Sequence, residues 1–337
     1  MRSIFSPELV NGPSGDPALY VDFRFEPRAL LIDIGDLARL PPRKILRVSD
    51  VFVSHTHMDH FCGFDHLLRI CLGRDTGLRM FGPPGFIAQV EHKLAAYTWN
   101  LVERYPGDFV IEAWETNEAW EAHGRRLRCR DRFRPEVLEA RQFPAGVIVD
   151  EPAFRVRAAV LDHGVPCLAF AVEEKAHVNV WKNRLDELGL PVGPWLREVK
   201  DLAIRGAPDD TPVRASWRDR NGEHERHVTL GALRDDILRL VPGETIAYVT
   251  DAAFHDTNRQ RIVDLARGAM RLFIECAFLD EDADLAAARL HLTAGQAGRI
   301  ARECGAEFVT PFHFSPRYDG REDELGAELE AARAGTG

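Results

Sequence analysis

The sequence has no apolar run approaching the roughly 20 residues that a bilayer-crossing helix needs. Its opening, MRSIFSPELVNG, carries no apolar segment followed by a small-residue cleavage site. Together these absences lead to the expectation of a cytoplasmic protein. Cysteine is sparse: Cys62, Cys71, Cys129, Cys167, Cys276 and Cys304 form no CxxC pair and no framework of spacings. That argues against disulfides and against a knotted structural zinc, and for buried reduced thiols. No repeat recurs at a fixed 20 to 50 residue period and no segment is of low complexity. Positive charge is also short, with 43 Lys and Arg against 53 Asp and Glu and a net charge of −10. Such a balance opposes non-specific binding to nucleic acid, whose affinity depends on neutralising phosphates, so an RNA substrate would need a local basic patch.

What is present is the composition of a folding chain, with 45% hydrophobic and 28% charged residues. Its 337 residues allow one domain or two, and one elaborated domain is the default. Residues 18–25 alternate in polarity and residues 29–35 form a short apolar run, which predicts a hairpin at a sheet edge. Residues 49–54, SDVFVS, predict a strand that ends abruptly in a histidine cluster. Helical spacing follows over 64–72, a strand and turn over 80–85, and a helix over 86–102. Strand-like runs FRVRAAVL and PCLAFAVEE flank Asp162-His163-Gly164, and three later strands end at Asp251, Glu275 and His313. This alternation fits a layered α/β fold, in which loops at the carboxyl ends of strands hold ligands. Between about 176 and 243 the pattern changes: a helix carrying Val180, Trp181, Leu185 and Leu188, a Gly-Pro turn, a second helix, and a polar hairpin around Asn221-Gly222 predict an inserted arm.

The cluster is His55-Thr56-His57-Met58-Asp59-His60. Two divalent metals about 3.5 to 4 Å apart need several neutral imidazoles and carboxylates converging on one point, with coordination positions left for water. His55, His57, Asp59, His60, His163, Asp251 and His313 supply that inventory. In an extended loop His55 and His57 point the same way, leaving Asp59 and His60 to turn toward a second ion. A lone histidine such as His163 or His313 is more often a cap or a core residue; beside HTHMDH the balance reverses. His57, where a glutamate would suit iron, favours zinc and hydrolysis.

HTHMDH resembles the HxHxDH signature of the metallo-β-lactamase superfamily, which implies an αββα sandwich. Leu161-Asp162-His163-Gly164-Val165-Pro166 is similar to the third-histidine motif of the ribonuclease Z branch. The segments from His291 to Ala297 and from Phe312 to Tyr318 are similar to its C-terminal block. The resemblance implies one zinc on His55, His57 and His163, a second on Asp59, His60 and His313, Asp251 bridging both, and a hydroxide held between them that attacks phosphorus. It also implies His291 as catalytic acid with Glu275 orienting it; the plainer readings are a residue beside a helix cap and a solvated strand end. Gly193 and Pro194 resemble the Gly-Pro segment of the family's substrate-binding arm, where an ordinary turn between helices explains them almost as well. Ser315 and Arg317 complete the implied substrate contacts.

The residues around this core follow the family less closely. Residues 12–17, GPSGDP, replace the branch's basic tRNA-contacting loop, Asp251 lacks the preceding Gly and following Thr, and Glu275 lacks the histidine that normally precedes it. Arg126, Arg128, Arg130, Arg132 and Arg134 alternate with other residues, which on a strand gives an arginine face; it would serve either RNA phosphates or a solvated edge strand guarded against aggregation. The leading expectation is a zinc phosphodiesterase cutting RNA, such as tRNA precursors, with a homodimer as the state that analogy with the family implies. A metallohydrolase of a small phosphodiester, cyclic nucleotide or sulfate ester, and a non-catalytic metal- or RNA-binding protein, are the alternatives.

Overall fold

The computed structural model describes residues 4–175, 177–220, 222–241 and 243–335, so Asn221 of the expected hairpin lies outside the described residues. The chain divides into two compact units, the first formed by Met1–Glu151, Arg155–Glu173 and Glu244–Gly337, the second by Pro152–Phe154 and Glu174–Gly243.

In the first unit, eight strands pair in chain order: β1 (Phe5–Leu9), β2 (Leu19–Phe23), β3 (Ala29–Ile32), β4 (Val48–Phe52), β5 (Gly77–Gly82), β6 (Val110–Thr116), β7 (Glu121–Arg128) and β8 (Pro135–Gln142). The pairings from β3 to β6 are parallel and the flanking ones antiparallel. The expected hairpin of β2 and β3 therefore lies one strand in from the edge, which β1 occupies. A second sheet uses β9 (Val147–Asp150), β10 (Phe154–Asp162) and β11 (Pro166–Glu174) and resumes, after the strands of the other unit, with β16 (Thr245–Val249), β17 (Arg271–Glu275) and β18 (Phe308–Phe312). Its order is β18-β17-β16-β11-β10-β9.

Strand periodicity explains the layering. Successive side chains point to opposite faces, so Val51 of β4 packs in a cluster with Phe64, Leu67, Phe86 and Val90 of covering helices. Its neighbour Phe52 meets Phe170 of β11, with ring centroids 5.6 Å apart. In β16, Ala247 and Val249 pack with Ile262, Ile300 and Leu329 of helices on the outer face of the second sheet. Tyr248 points inward, its hydroxyl donating to Asp33 beyond the end of β3. The result is helix, sheet, sheet, helix, the expected αββα sandwich. The helix expected over 86–102 stops earlier, at Ala95; there the chain bends so that the Trp99 indole donates to Leu94 O and packs 4.8 Å from Phe133.

The second unit contains β12 (His177–Val180) paired with β15 (Leu238–Val241), and the hairpin β13 (Pro212–Asp219) with β14 (Gly222–Thr229). Val180 closes a strand rather than opening a helix, and Trp181 precedes the helix Lys182–Glu187. The unit has its own apolar cluster, including Leu185, Trp195, Val199, Val213 and Leu233.

Candidate metal centre

Acidic or imidazole side chains lie at six places where strands of the first unit end. Asp33 follows β3, the histidine cluster follows β4, His163 follows β10, Asp251 follows β16, Glu275 closes β17 and His313 follows β18. The segment from Ser54 to His57 has no regular structure; the short helix Met58–Phe61 then turns Asp59 and His60 the other way. That turn sits directly against the loop after β3. Ile34 N donates to His60 O and Gly63 N to Ile34 O. A Cβ on Gly35 would collide with Asp59 O, and one on Gly63 with Gly35 O, so both positions need glycine to let the backbones touch.

Three groups of potential ligand atoms result, each lying within 4.8 Å: His55, His57, His163 and Asp251; Asp59, His60 and His313; and Asp251, Glu275, His291 and His313. One Asp251 oxygen stands 3.5 Å from His55 Nε2, 3.5 Å from His60 Nε2 and 3.4 Å from His163 Nε2, while the other is 3.0 Å from His313 Nδ1. Asp59 reaches His60 Nε2 at 3.4 Å and His313 Nε2 at 3.2 Å. Thus the seven residues expected as ligands converge, with Asp251 at their middle.

The other ring nitrogens of His55, His60 and His163 are anchored. His55 Nδ1 lies 3.1 Å from Ser54 Oγ, His60 Nδ1 lies 2.9 Å from Asp33, and His163 Nδ1 donates to Leu290 O at 2.8 Å. Among the described residues, buried Nε2 of His55 and of His60, and Nδ1 of His313, find no partner in hydrogen-bonding geometry, although Asp251 stands 3.0 Å from the last. Buried polar atoms are nearly always satisfied, so a cluster of orphaned imidazole nitrogens around carboxylates fits divalent cations. The electrostatics agree. Burial pushes His55 down to about 2, so it is neutral and able to coordinate. Burial also opposes charge on His60, but Asp251 and Asp33 outweigh it and hold that imidazole well above its ordinary value. Asp251 does the same for His313, helped by hydrogen bonding to Asp59. Both shifts come from the carboxylates gathered here, the same negative charge that would attract divalent cations.

His291 and Glu275 form a pair beside this centre. His291 Nδ1 donates to Glu275 Oε2 at 2.8 Å, and Glu275 also accepts from Ala252 N and Leu292 N at 2.7 and 3.2 Å. Burial works against charge on His291, but Glu275 outweighs it and raises the imidazole. The His291 ring lies 4.8 Å from that of His163 and 5.5 Å from that of His313. Thr293 caps the helix Ala294–Cys304, in a capping box with Gln296, so His291 does stand near a helix cap, whereas Glu275 is fully buried rather than solvated.

A ribonuclease Z of Deinococcus radiodurans is 30% identical to the chain, an alignment that covers 98% of this chain and 96% of that one. The chain belongs to the ribonuclease Z family. A ribonuclease Z of Thermobifida fusca is 31% identical over 80% of the chain and 74% of its own length. No protein-family model matches the sequence. Among solved structures, the metallo-β-lactamase fold protein YhfI from Bacillus subtilis is similar with a TM-score of 0.53 at 15% identity, covering 97% of this chain and 93% of that one. The short form of human tRNase Z is similar with a TM-score of 0.53 at 17% identity, covering 94% and 93%. Membership in the ribonuclease Z family makes the chain a metal-dependent hydrolase with the metallo-β-lactamase fold.

For a ribonuclease Z family member, some expected substrate residues sit in ordinary structural roles. Arg317 pairs with Asp282 at 3.1 Å, and the Ser315 hydroxyl accepts from Arg317 N. Gly193 and Pro194 belong to the second unit, where Pro194 precedes the helix Trp195–Ile204 and a Cβ on Gly193 would press 2.9 Å from the Trp195 ring. The arginine face does not form. β7 ends at Arg128, a 3-10 turn follows over Cys129–Asp131, and Arg132 and Phe133 both adopt φ of 55°. Arg126 pairs with Glu112, Arg128 with Asp108 and Arg132 with Glu103, while Arg130 donates to Pro106 O. Nor is β7 an edge strand, since β8 covers it.

Sequence reasoning missed Asp33, which it read as part of an apolar run. Fully buried, it accepts from Ser54 N, Ser54 Oγ, Tyr248 OH and His60 Nδ1. The available signal was an acid at the end of a run, Leu30-Leu31-Ile32, with no other polar residue in it.

Proposed function

We propose that the chain is a zinc-dependent phosphodiesterase that cuts RNA, with removal of the 3′ extension of tRNA precursors as its specific form. The observation that carries this reading is the convergence of His55, His57, Asp59, His60, His163, Asp251 and His313 around unpartnered imidazole nitrogens. Neutral imidazoles with a few carboxylates suit zinc. On this reading His55, His57 and His163 hold one cation, Asp59, His60 and His313 the other, and Asp251 serves both. Two such cations supply charge stabilisation on the phosphoryl oxygens and activation of water.

The chain's own part lies in His291. Glu275 accepts from its Nδ1–H and shifts the imidazole toward its protonated form against the opposing effect of burial, which leaves Nε2 to give a proton to the departing oxygen. Glu275 anchors the loop of Asp251 through Ala252 N at the same time, tying the acid to the ligands. We read residues 176–243 as an arm inserted into one metallo-β-lactamase domain, and the protein as a cytoplasmic homodimer, which sedimentation equilibrium tests.

Hydrolysis of a small phosphodiester is the second reading. It is favoured by the net charge of −10 and by the pairing of Arg126, Arg128 and Arg132 with acids. A side-by-side assay of a precursor tRNA and a chromogenic phosphodiester, with zinc content measured on the same sample, separates them. Cleavage of the tRNA at its 3′ side supports the first; cleavage of the small ester alone overturns it.

A further inference from the structure

The loops carrying His163 and Asp251 leave different strands, β10 and β16, and one side chain joins them. Asn258, third residue of the helix Asp256–Ala266, is 1% exposed. Its Oδ1 accepts from Asp162 N at 2.9 Å, and its Nδ2 donates to Asp162 O and to Ala253 O, each at 2.8 Å. Ala253 N closes the arrangement by donating to Asp162 O at 2.9 Å. All of the amide's strong hydrogen-bonding directions but one are thus spent on the backbone immediately before His163 and two residues after Asp251. The helix itself does not need this side chain, since its N-terminus is capped by His255 Nδ1 accepting from Asn258 N.

We propose that Asn258 is a positioning residue for the His55, His57 and His163 pocket, setting the separation of the His163 and Asp251 loops. The effect is selective because the two loops are held unequally. Asp251 has further anchors, with Thr250 Oγ1 donating to its carboxylate and Ala252 N donating to Glu275. His163 has its ring bond to Leu290 O, a turn bond from its own N to Val165 O and, beside it, Gly164 N donating to the Asp162 carboxylate, while Asp162 N donates to Asn258 and Asp162 O accepts from both Asn258 and Ala253 N. Asp59 and His60 hang on the Gly35 and Gly63 contacts instead. Loosening Asn258 therefore frees His163 first and leaves the Asp59, His60 and His313 pocket in place. Partners that orient metal ligands typically contribute about 10- to 100-fold in affinity.

The inference rests on the ligand assignment of the preceding section, and its test separates the two. Zinc binding to the full chain is followed by native mass spectrometry against a competing chelator for the wild type, Asn258→Ala, Asn258→Asp and Asp251→Ala. The Asp variant keeps the acceptor for Asp162 N but replaces the two donors with a carboxylate facing carbonyls. Expected is a loss of about 10- to 100-fold in affinity for one of the two ions in Asn258→Ala, at least as large in Asn258→Asp, with the other ion retained and the rate restored at saturating zinc. Unchanged affinity for both ions, parallel loss of both, or a KM that stays raised at saturating zinc overturns the positioning role. If Asp251→Ala keeps both ions, the ligand assignment fails instead.

Discussion

The carboxylate of Asp33 stands 2.9 Å from Nδ1 of His60, and neither side chain is exposed to solvent. A carboxylate on one imidazole nitrogen fixes the tautomer and turns the other nitrogen outward as a ligand. Here it also gathers Tyr248 OH and Ser54 from both sheets onto one acid. Asp33→Asn should keep the fold and lose about 10- to 100-fold in affinity for one cation. Asp33→Ala should in addition lower stability, since it strands buried donors at about 1 to 3 kcal/mol each. Chelator competition and urea denaturation measure the two effects; an Asp33→Asn protein that binds both ions as tightly as the wild type would refute the orienting role.

Gly35 makes the same ligand turn sensitive to a single methyl group. Its Cβ would meet Asp59 O, Asp16 Cβ and Pro17 O, two of these being backbone atoms that cannot swing aside. Gly35→Ala should therefore cost about 1 to 3 kcal/mol from overpacking and displace Asp59. The expected result is a lower melting temperature together with weakened binding of one cation. Normal stability with full metal content would show that the turn has more room than these contacts allow.

These two residues also mark where reading the sequence stops. His55, His57, Asp59 and His60 were legible because four ligand-type side chains adjoin in the chain after a strand, and His163 and His313 because each closes a strand within a distinctive motif. Asp33 and Tyr248 are 215 positions apart, and their meeting depends on which faces of two sheets oppose each other. Asn258 acts entirely on backbone groups, which leave no trace in residue type. The alternating arginines misled because a period of two predicts a strand only while φ stays extended. Arg132 and Phe133 break it with φ of 55°, and Glu103, Asp108 and Glu112 neutralise partners distant in sequence.

Those arginines carry a prediction of their own. Arg126, Arg128 and Arg132 form exposed or half-buried ion pairs of the kind that contribute about 0 to 1 kcal/mol. Replacing Arg126, Arg128 and Arg132 together by Ala should leave the salt dependence of RNA cleavage unchanged and the melting temperature nearly so. A marked drop in the slope of log KM against log salt concentration would restore a phosphate-binding role to this segment.

Metal binding should release protons. Burial disfavours charge on His60 and His313, but the surrounding carboxylates outweigh it, so both imidazoles are raised well above 6.5 in the metal-free protein. A raised folded value contributes stability that is complete below the unfolded pKa and lost as pH rises through the folded one. Metal-free protein should thus lose stability on the alkaline side, whereas zinc affinity should rise with pH as the cation displaces those protons. Calorimetric titration in buffers of different ionisation enthalpy counts them, and binding without release at pH 7 would contradict the assignment.

The acid assignment predicts a sharper separation. His291 touches the centre through its ring but has Glu275, not a cation, on its Nδ1. His291→Ala should retain both ions and lose about 10²- to 10⁴-fold in rate, the usual contribution of a positioned general acid. Asp251→Ala, by contrast, should lose metal and activity together, because three imidazoles and His313 converge on that one carboxylate. The decisive substrate is one with an activated leaving group that needs no proton: on it His291→Ala should approach the wild-type rate. Equal impairment on activated and unactivated phosphodiesters would mean that His291 stabilises charge on the phosphoryl oxygens rather than delivering a proton.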